Sequence, residues 1–219
     1  MRVVAVSVGK VRSVPWDSGA LPVTAIEKHG VQGPVRITTY GVEGNQCGDT
    51  ENHGDRWQRV YAYASEDYAW WEGELGAATR PGLFGEQLTT EGMDLNAALV
   101  GEVWRVGGAL LQISHVRIPC QTFKGWMGAS GYDETAWVKR FTEAGRVGPY
   151  FRVLEPGKVQ AGDAITVVER PHHDVTVQRL FRALTTEPAL LPEVVVAEGL
   201  KPWVYERALS RKRGAATDQ

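Results

Sequence analysis

The stretch "GEVWRVGGALLQISHVRIPC", Gly101 to Cys120, decides the reading of this chain. Its two apolar runs, "EVWRVG" and "ALLQISHV", are short, rich in β-branched and aromatic residues, and bounded by glycines and by Pro119, as strands are. The second run delivers a cysteine, Cys120, immediately after Pro119. Arg117 lies three residues before that cysteine and His115 five before it. On the residues alone, Cys120 can be a buried filler, a metal ligand, a redox thiol or a nucleophile.

Working outward, more strands follow the same pattern. "RVVAVSV" (Arg2–Val8), "PVRITTYG" (Pro34–Gly41), "RVYAYA" (Arg59–Ala64), "EQLTT", "PYFRVLEPG" and "DAITVVER" complete the set. "RVYAYA" alternates as a half-buried strand does. Gly41 to Asp49, "GVEGNQCGD", reads as a loop. Short strands at close spacing predict an antiparallel barrel or sandwich. Two helices interrupt it. Ser65 is placed to N-cap "SEDYAWWEGELG", with Gly76 as its stop. "DETAWVKRFTEAG", Asp133 to Gly145, puts Trp137, Phe141 and Ala144 on one face. The pattern changes near Pro171. Val177, Leu180, Phe181 and Leu184 mark an amphipathic helix, and "PEVVVAEG" and "KPWVYERAL" predict two more. The expected division is a β-domain over residues 1–170, a three-helix unit over 171–213 and a tail over 214–219.

The chain has 219 residues and a net charge of −2, which argues against a general nucleic-acid binder. The basic cluster Arg211–Arg213 reads as solvated tail. No membrane-length apolar run and no signal peptide are legible, and the two cysteines lack CxxC spacing. These features predict a soluble cytoplasmic protein with a free thiol at Cys120. Dinucleotide, P-loop and serine-hydrolase fingerprints are missing from the sequence.

Arg117 and Lys124 are the charges nearest Cys120 in sequence, and positive charge favours thiolate. His53, in "NHGDRW", sits in a loop open to ligands. Cys47, His53, His115 and Cys120 together make a set zinc accepts, but with five and four intervening residues the pairs are looser than in compact zinc modules. In "GLFGEQLTTEG" (Gly82–Gly92), backbone near Gly85 and the hydroxyls of Thr89 and Thr90 could hold an anion. Lys28 and Arg36 flank a turn and could line an anionic pocket.

These pieces, in this order, resemble the MOSC family, named for the C-terminal domain of molybdenum cofactor sulfurase, and within it the YiiM-like branch. The carrying segments are "TAIEKHGVQGPV", "GVEGNQCGDTENHG", "YAYASEDYAWW", "FGEQLTTEG", "GEVWRVG", "VRIPC" and the tail "HHDVTVQRLFRAL…GLKPWVYERAL". The resemblance covers nearly the whole chain. It implies a MOSC-type antiparallel β-barrel followed by a three-helix unit, with Cys120 as a molybdenum ligand and His53 as the second catalytic residue. Lys28 and Arg117 match cofactor-binding positions; Arg56, Arg59, Thr89 and Thr90 are further candidates. Asn45 stands where aspartate is common, Gln87 replaces an asparagine, and "DRWQ" replaces a turn that usually carries a lysine, which leaves Arg56 or Arg59 to take over its role.

The implied cofactor is the molybdenum cofactor (molybdopterin). The family's pyridoxal phosphate label belongs with a separate sulfurase domain that this chain lacks, and no pyridoxal phosphate site is identified. The implied activity is reduction of N-hydroxylated bases such as 6-N-hydroxylaminopurine, with an external electron donor protein. Other expectations are no nucleic acid, no membrane, and room for a homodimer. Two alternatives stand beside it: a non-catalytic carrier of cofactor or sulfur through a Cys120 persulfide, and the structural zinc site.

Overall fold

A computed structural model describes residues 1–16, 22–50 and 54–217. Eight strands form the main sheet in the order β13-β9-β10-β11-β7-β8-β1-β4. They are β1 (Arg2–Val8), β4 (His29–Gly30), β7 (Val60–Ala64), β8 (Leu88–Glu91), β9 (Val103–Val106), β10 (Ala109–Val116), β11 (Pro149–Glu155) and β13 (Ile165–Glu169). Two smaller sheets pair β12 (Gly157–Val159), β5 (Val35–Thr38) and β6 (Gly41–Val42), and β2 (Arg12–Ser13) with β3 (Val23–Thr24). The main sheet curls until its first and last strands meet. Arg2 bridges Ala164, Val3 N–H donates to the Asp163 carbonyl at 2.9 Å, and Ile165 N–H donates to the Met1 carbonyl at 3.1 Å.

The sheet is antiparallel with one exception. β7 and β8 pair in parallel, Ala62 with Leu88 and Ala64 with Thr90. A parallel pair needs a crossover, and helix α1 (Ser65–Leu75) lies within it. β7 is buried along its whole length, not on alternate residues. It lies inside the sheet between β11 and β8, so "RVYAYA" alternates in residue size rather than in exposure.

Helix ends depart from the sequence reading in instructive ways. β7 runs straight into α1, so Ala64 takes the N-cap position and Ser65 lies inside the first turn. Gly76 does stop the helix, in the left-handed conformation at φ 62°. The next helix, α2 (Gln121–Ala129), has no counterpart in the sequence reading because Gly125 and Gly128 weaken its signal. Phe123, Trp126 and Met127, at i, i+3 and i+4, were the available clue. Gly125 is required by packing: a Cβ there would stand 2.0 Å from Trp16. Helix α3 spans only Trp137–Ala144, because Asp133 accepts from Thr135 N–H in a turn and Ala136 is left-handed.

Helix α4 (Val177–Leu184) buries Val177, Leu180 and Phe181 as expected, with Thr176 capping Arg179 N–H. The stretch containing "PEVVV" is a 3₁₀ helix, Pro188–Val196, since Pro192 within it supplies no N–H. Helix α5 spans Pro202–Thr217 and so continues through part of the expected tail; Ala215 and Ala216 are strong helix formers.

Trp71, Phe84, Phe123, Trp137 and Phe141 pack ring to ring and are all buried. This cluster ties α1, α2 and α3 to the Gly82–Gln87 loop. Phe84 lies at its centre, 5.3 Å from Phe123 and 5.8 Å from Trp137 between ring centres. Phe84→Ala should lower the unfolding free energy by about 3–5 kcal/mol in urea titrations, through lost burial and the cavity left behind.

Candidate active site

One cavity of about 450 Å³ opens beside the end of β10. Segments distant in sequence build its wall. The loop after β3 contributes Lys28, and the loop after β6 contributes Asn45 and Cys47. Gln58 and Arg59 come from the lead-in to β7, and Arg117 and Cys120 from the end of β10. Tyr61, Gln87 and Tyr150 complete the inner surface.

Cys120 is half-buried and sits at the N-cap position of α2. Its place is set by the residue three further on: Phe123 is fully buried in the aromatic cluster. Arg117 is buried too. Its Nη1 donates to the Tyr150 hydroxyl at 2.9 Å, and its guanidinium lies 5.0 Å from the Phe123 ring centre and 5.7 Å from that of Tyr61. Its Nε makes no hydrogen bond. Burial alone disfavours its charge, but Tyr150, Cys120 and Tyr61 hold its pKa above the ordinary value.

Lys28 is buried on the facing wall. Its Nζ donates to the Ala25 carbonyl and to Asn45 Oδ1, each at 2.7 Å. Asn45 Oδ1 also accepts from Gly9 N–H at 3.0 Å, which joins this loop to the end of β1. Both partners of the ammonium are neutral, so burial dominates and its pKa is pushed down to about 8. An aspartate at position 45 would have paired the charge; this chain's asparagine leaves it uncompensated. Among the described lining residues the only acid is Asp49, against Lys28, Arg59 and Arg117.

The structure brings together Lys28, Arg59, Arg117 and Cys120 from the sequence reading. Arg59 Nε is buried without a hydrogen bond, and its guanidinium lies 5.9 Å from the Tyr40 ring centre. Arg56 is not among the lining residues and instead stacks on Trp57 at 5.0 Å. Arg36 is exposed on β5. Thr89 and Thr90 are buried in β8, off the cavity wall, and the Thr89 hydroxyl donates to Glu86 at 2.8 Å. That carboxylate, fully buried, also accepts from Gly82 N–H and the Tyr68 hydroxyl. Desolvation raises its pKa. A buried acid beside Thr89 makes that hydroxyl unsuited to hold an anion.

His53 lies outside the described residues. His115 is buried away from the cavity, 6.4 Å from the Tyr150 ring centre and 5.7 Å from that of Trp203. The described residues contain no metal-binding cluster of three or more His, Cys, Asp or Glu. The packing of His115 removes one member of the zinc set from the cavity wall.

Cys47, which the sequence placed only in that zinc set, does line the cavity as a second thiol. Its Sγ donates to the Asp49 carbonyl at 3.1 Å, and desolvation raises its pKa. Tyr150 carried no site signal in the sequence, and Asn45 and Gln58 appeared there only as departures from the family pattern. Each is brought in by pairing or loop contacts between segments distant in sequence.

A curled, mostly antiparallel sheet presenting a thiol in a cationic cavity at the end of β10 is the architecture the MOSC resemblance implied. The MOSC domain family model matches residues 49–166. Protein YiiM of Escherichia coli is 31% identical over 181 residues, covering 80% of this chain and 75% of that protein. Its crystal structure superimposes with a TM-score of 0.72 over 96% of this chain and 94% of that one, at 27% identity. The crystal structure of YiiM from Geobacillus stearothermophilus covers 96% of this chain and 98% of its own, with a TM-score of 0.77 at 23% identity. A Gibberella moniliformis protein named "Reductase" is 31% identical over 177 residues, 78% of this chain but 30% of that longer protein. The chain belongs to the MOSC domain family, in its YiiM-like branch. No described helix is long and apolar enough to cross a membrane.

Lys28 makes stability depend on pH in a defined direction. Its folded pKa, about 8, lies below its ordinary value of 10.5. Between those values the unfolded chain binds more protons, so its contribution to stability rises with pH across that window. Measured by urea unfolding at pH 8 and pH 10.5, the stability of the wild type relative to Lys28→Met should increase by about 3 kcal/mol at most.

Proposed function

We propose that this protein binds the molybdenum cofactor in the cavity beside Cys120 and reduces N-hydroxylated bases such as 6-N-hydroxylaminopurine. The carrying observation is the pair of buried cations, Lys28 and Arg117, that ion-pair with no carboxylate among the described residues. Buried charge without a partner is costly, so a cavity walled by it suits an anion. A pterin cofactor brings a phosphate, and the cavity volume falls within the range of cofactor sites.

In this reading Lys28, Arg59 and Arg117 hold the anionic part, with the orphaned Nε groups of Arg59 and Arg117 as unused donors. Cys120 supplies the soft thiolate ligand. When bound, the molybdenum centre supplies the two-electron redox change. Reduction of an N-hydroxyl group consumes two electrons and two protons and yields the amine and water. Lys28, titrating at about 8, holds a proton inside the cavity at neutral pH. His53 is the second proton donor in this reading, on its motif and loop position.

Electrons come from a separate protein, and the longer relative named "Reductase" supports the redox reading. Relatives of the YiiM-like branch support the family assignment and leave the substrate to experiment. Protein expressed in a cofactor-competent host should carry about one molybdenum per chain, falling about tenfold or more in Cys120→Ala. Undiminished molybdenum in that variant would sink the thiolate-ligand assignment. With a chemical reductant, the loaded protein should convert 6-N-hydroxylaminopurine to adenine. Cofactor binding without conversion would turn the assignment to a carrier.

A further inference from the structure

The C-terminal helices bear on the cavity through one side chain. Lys201 precedes α5, and its carbonyl accepts from Val204 N–H and Tyr205 N–H at 2.9 and 3.2 Å, which starts that helix. Its own N–H donates to the Ser114 carbonyl of β10 at 3.1 Å. Its side chain, 11% exposed, reaches across to the segment leading into β7. There Nζ pairs with Asp55 Oδ2 at 2.7 Å and donates to Gln58 Oε1. Gln58 and its neighbour Arg59 form one wall of the cavity.

That segment is held from a second side by β10 and β11. Ser114 Oγ donates to the Trp57 carbonyl at 2.5 Å, and the Arg152 guanidinium covers the Trp57 ring at 4.6 Å. Asp55 Oδ1 accepts from Trp57 N–H at 2.8 Å. The segment forms no helix or strand between residues 54 and 58. Its backbone is held by the Gln58 N–H to the Asp55 carbonyl at 3.4 Å and, at its end, by the Arg59 N–H to the Phe151 carbonyl of β11 at 3.0 Å. The side-chain contacts add to these few bonds in setting the shape of the turn. Lys201 is the contact supplied from the helical unit, and it fixes both ends of the turn, Asp55 and Gln58.

We propose that the helical unit is a working part of the site, with Lys201 as the positioning residue that sets Gln58 and Arg59 on the cavity wall. The consequence is electrostatic. The Arg59 backbone is anchored to Phe151 of β11, and the shape of the Asp55–Gln58 turn sets how far its guanidinium is directed at a cavity-bound anion. The inference rests on the cavity being the functional site and is independent of which group it holds.

The test reads the field inside the cavity with Cys120 as reporter. Its alkylation rates by iodoacetate and by iodoacetamide, reagents of similar size but different charge, are followed by mass spectrometry of the Cys120 peptide in the full chain. The anionic-to-neutral rate ratio should fall about threefold or more in Lys201→Met, as it should in the control Arg59→Met, and stay near wild type in Lys201→Arg. A purely structural role would change both rates together and leave their ratio alone. Gln58→Leu removes the acceptor of Lys201 Nζ at the other end of the turn without changing charge, so it answers the question even where Lys201→Met fails to fold, and it is free of the direct effect of deleting a cation. An unchanged ratio in the folded Gln58 variant, with Arg59→Met lowering it, overturns the proposal. Molybdenum content measured beside it separates this outcome from a failure of the cofactor reading.

Discussion

The burial of Arg117 is the constraint on which the site depends. A guanidinium taken out of water must be compensated. Here the compensation is a phenol hydroxyl and two aromatic faces. Tyr150 comes from β11, Tyr61 from β7 and Phe123 from α2. To satisfy one cation, three elements must converge at the end of β10. That convergence also fixes Cys120, three residues further along, between a buried arginine and a buried phenylalanine. Among the described residues neither Arg117 nor Lys28 ion-pairs with a carboxylate.

The aromatic cluster explains why the thiol sits on a short helix. α2 carries two glycines in nine residues, weak material for a helix in water. Tertiary packing supplies what propensity does not. Phe123 and Met127 are fully buried, and Trp126 Nε1 donates to the Leu83 carbonyl at 2.7 Å. The same loop that receives Trp126 presents Gly85 and Gln87 to the cavity and is held by the buried Glu86. Gln87 in turn locks to β7, accepting from Tyr61 N–H at 2.8 Å. Core and site are therefore one network, with the acid on the core side of the wall and the cations on the cavity side.

The helical unit belongs to that network through β10. Gly199 packs on Gln112, Lys201 N–H binds Ser114, and Trp203 lies against His115. Three successive outposts of the unit thus meet three positions of one strand. The strand that ends in Arg117 and Cys120 is gripped by β9 and β11 on its edges and by the helices along its length.

The strand set, the amphipathic face of α4 and the closeness of Arg117 to Cys120 at a strand end were legible in the sequence, because period, glycine punctuation and short-range spacing are local properties. Lys28 and Arg59 were named as candidates from the family pattern. Their meeting on one cavity wall is a tertiary fact. What the sequence could not show follows from contacts between distant segments. α2 exists because Phe123 has a buried partner set. β7 is buried along its whole length because packing covers its faces while β11 and β8 pair with its two edges. Thr89 is lost to the site because Glu86 claims its hydroxyl. Tyr150 and Gln58 enter it, and Lys201 reaches Gln58 from behind the wall, because β10 aligns segments as much as 143 residues apart, the separation of Gln58 and Lys201. Local chemistry determined which residues could react or bind. Only the fold decided which of them face one another across the cavity, because charge compensation depends on neighbours in space and not in sequence.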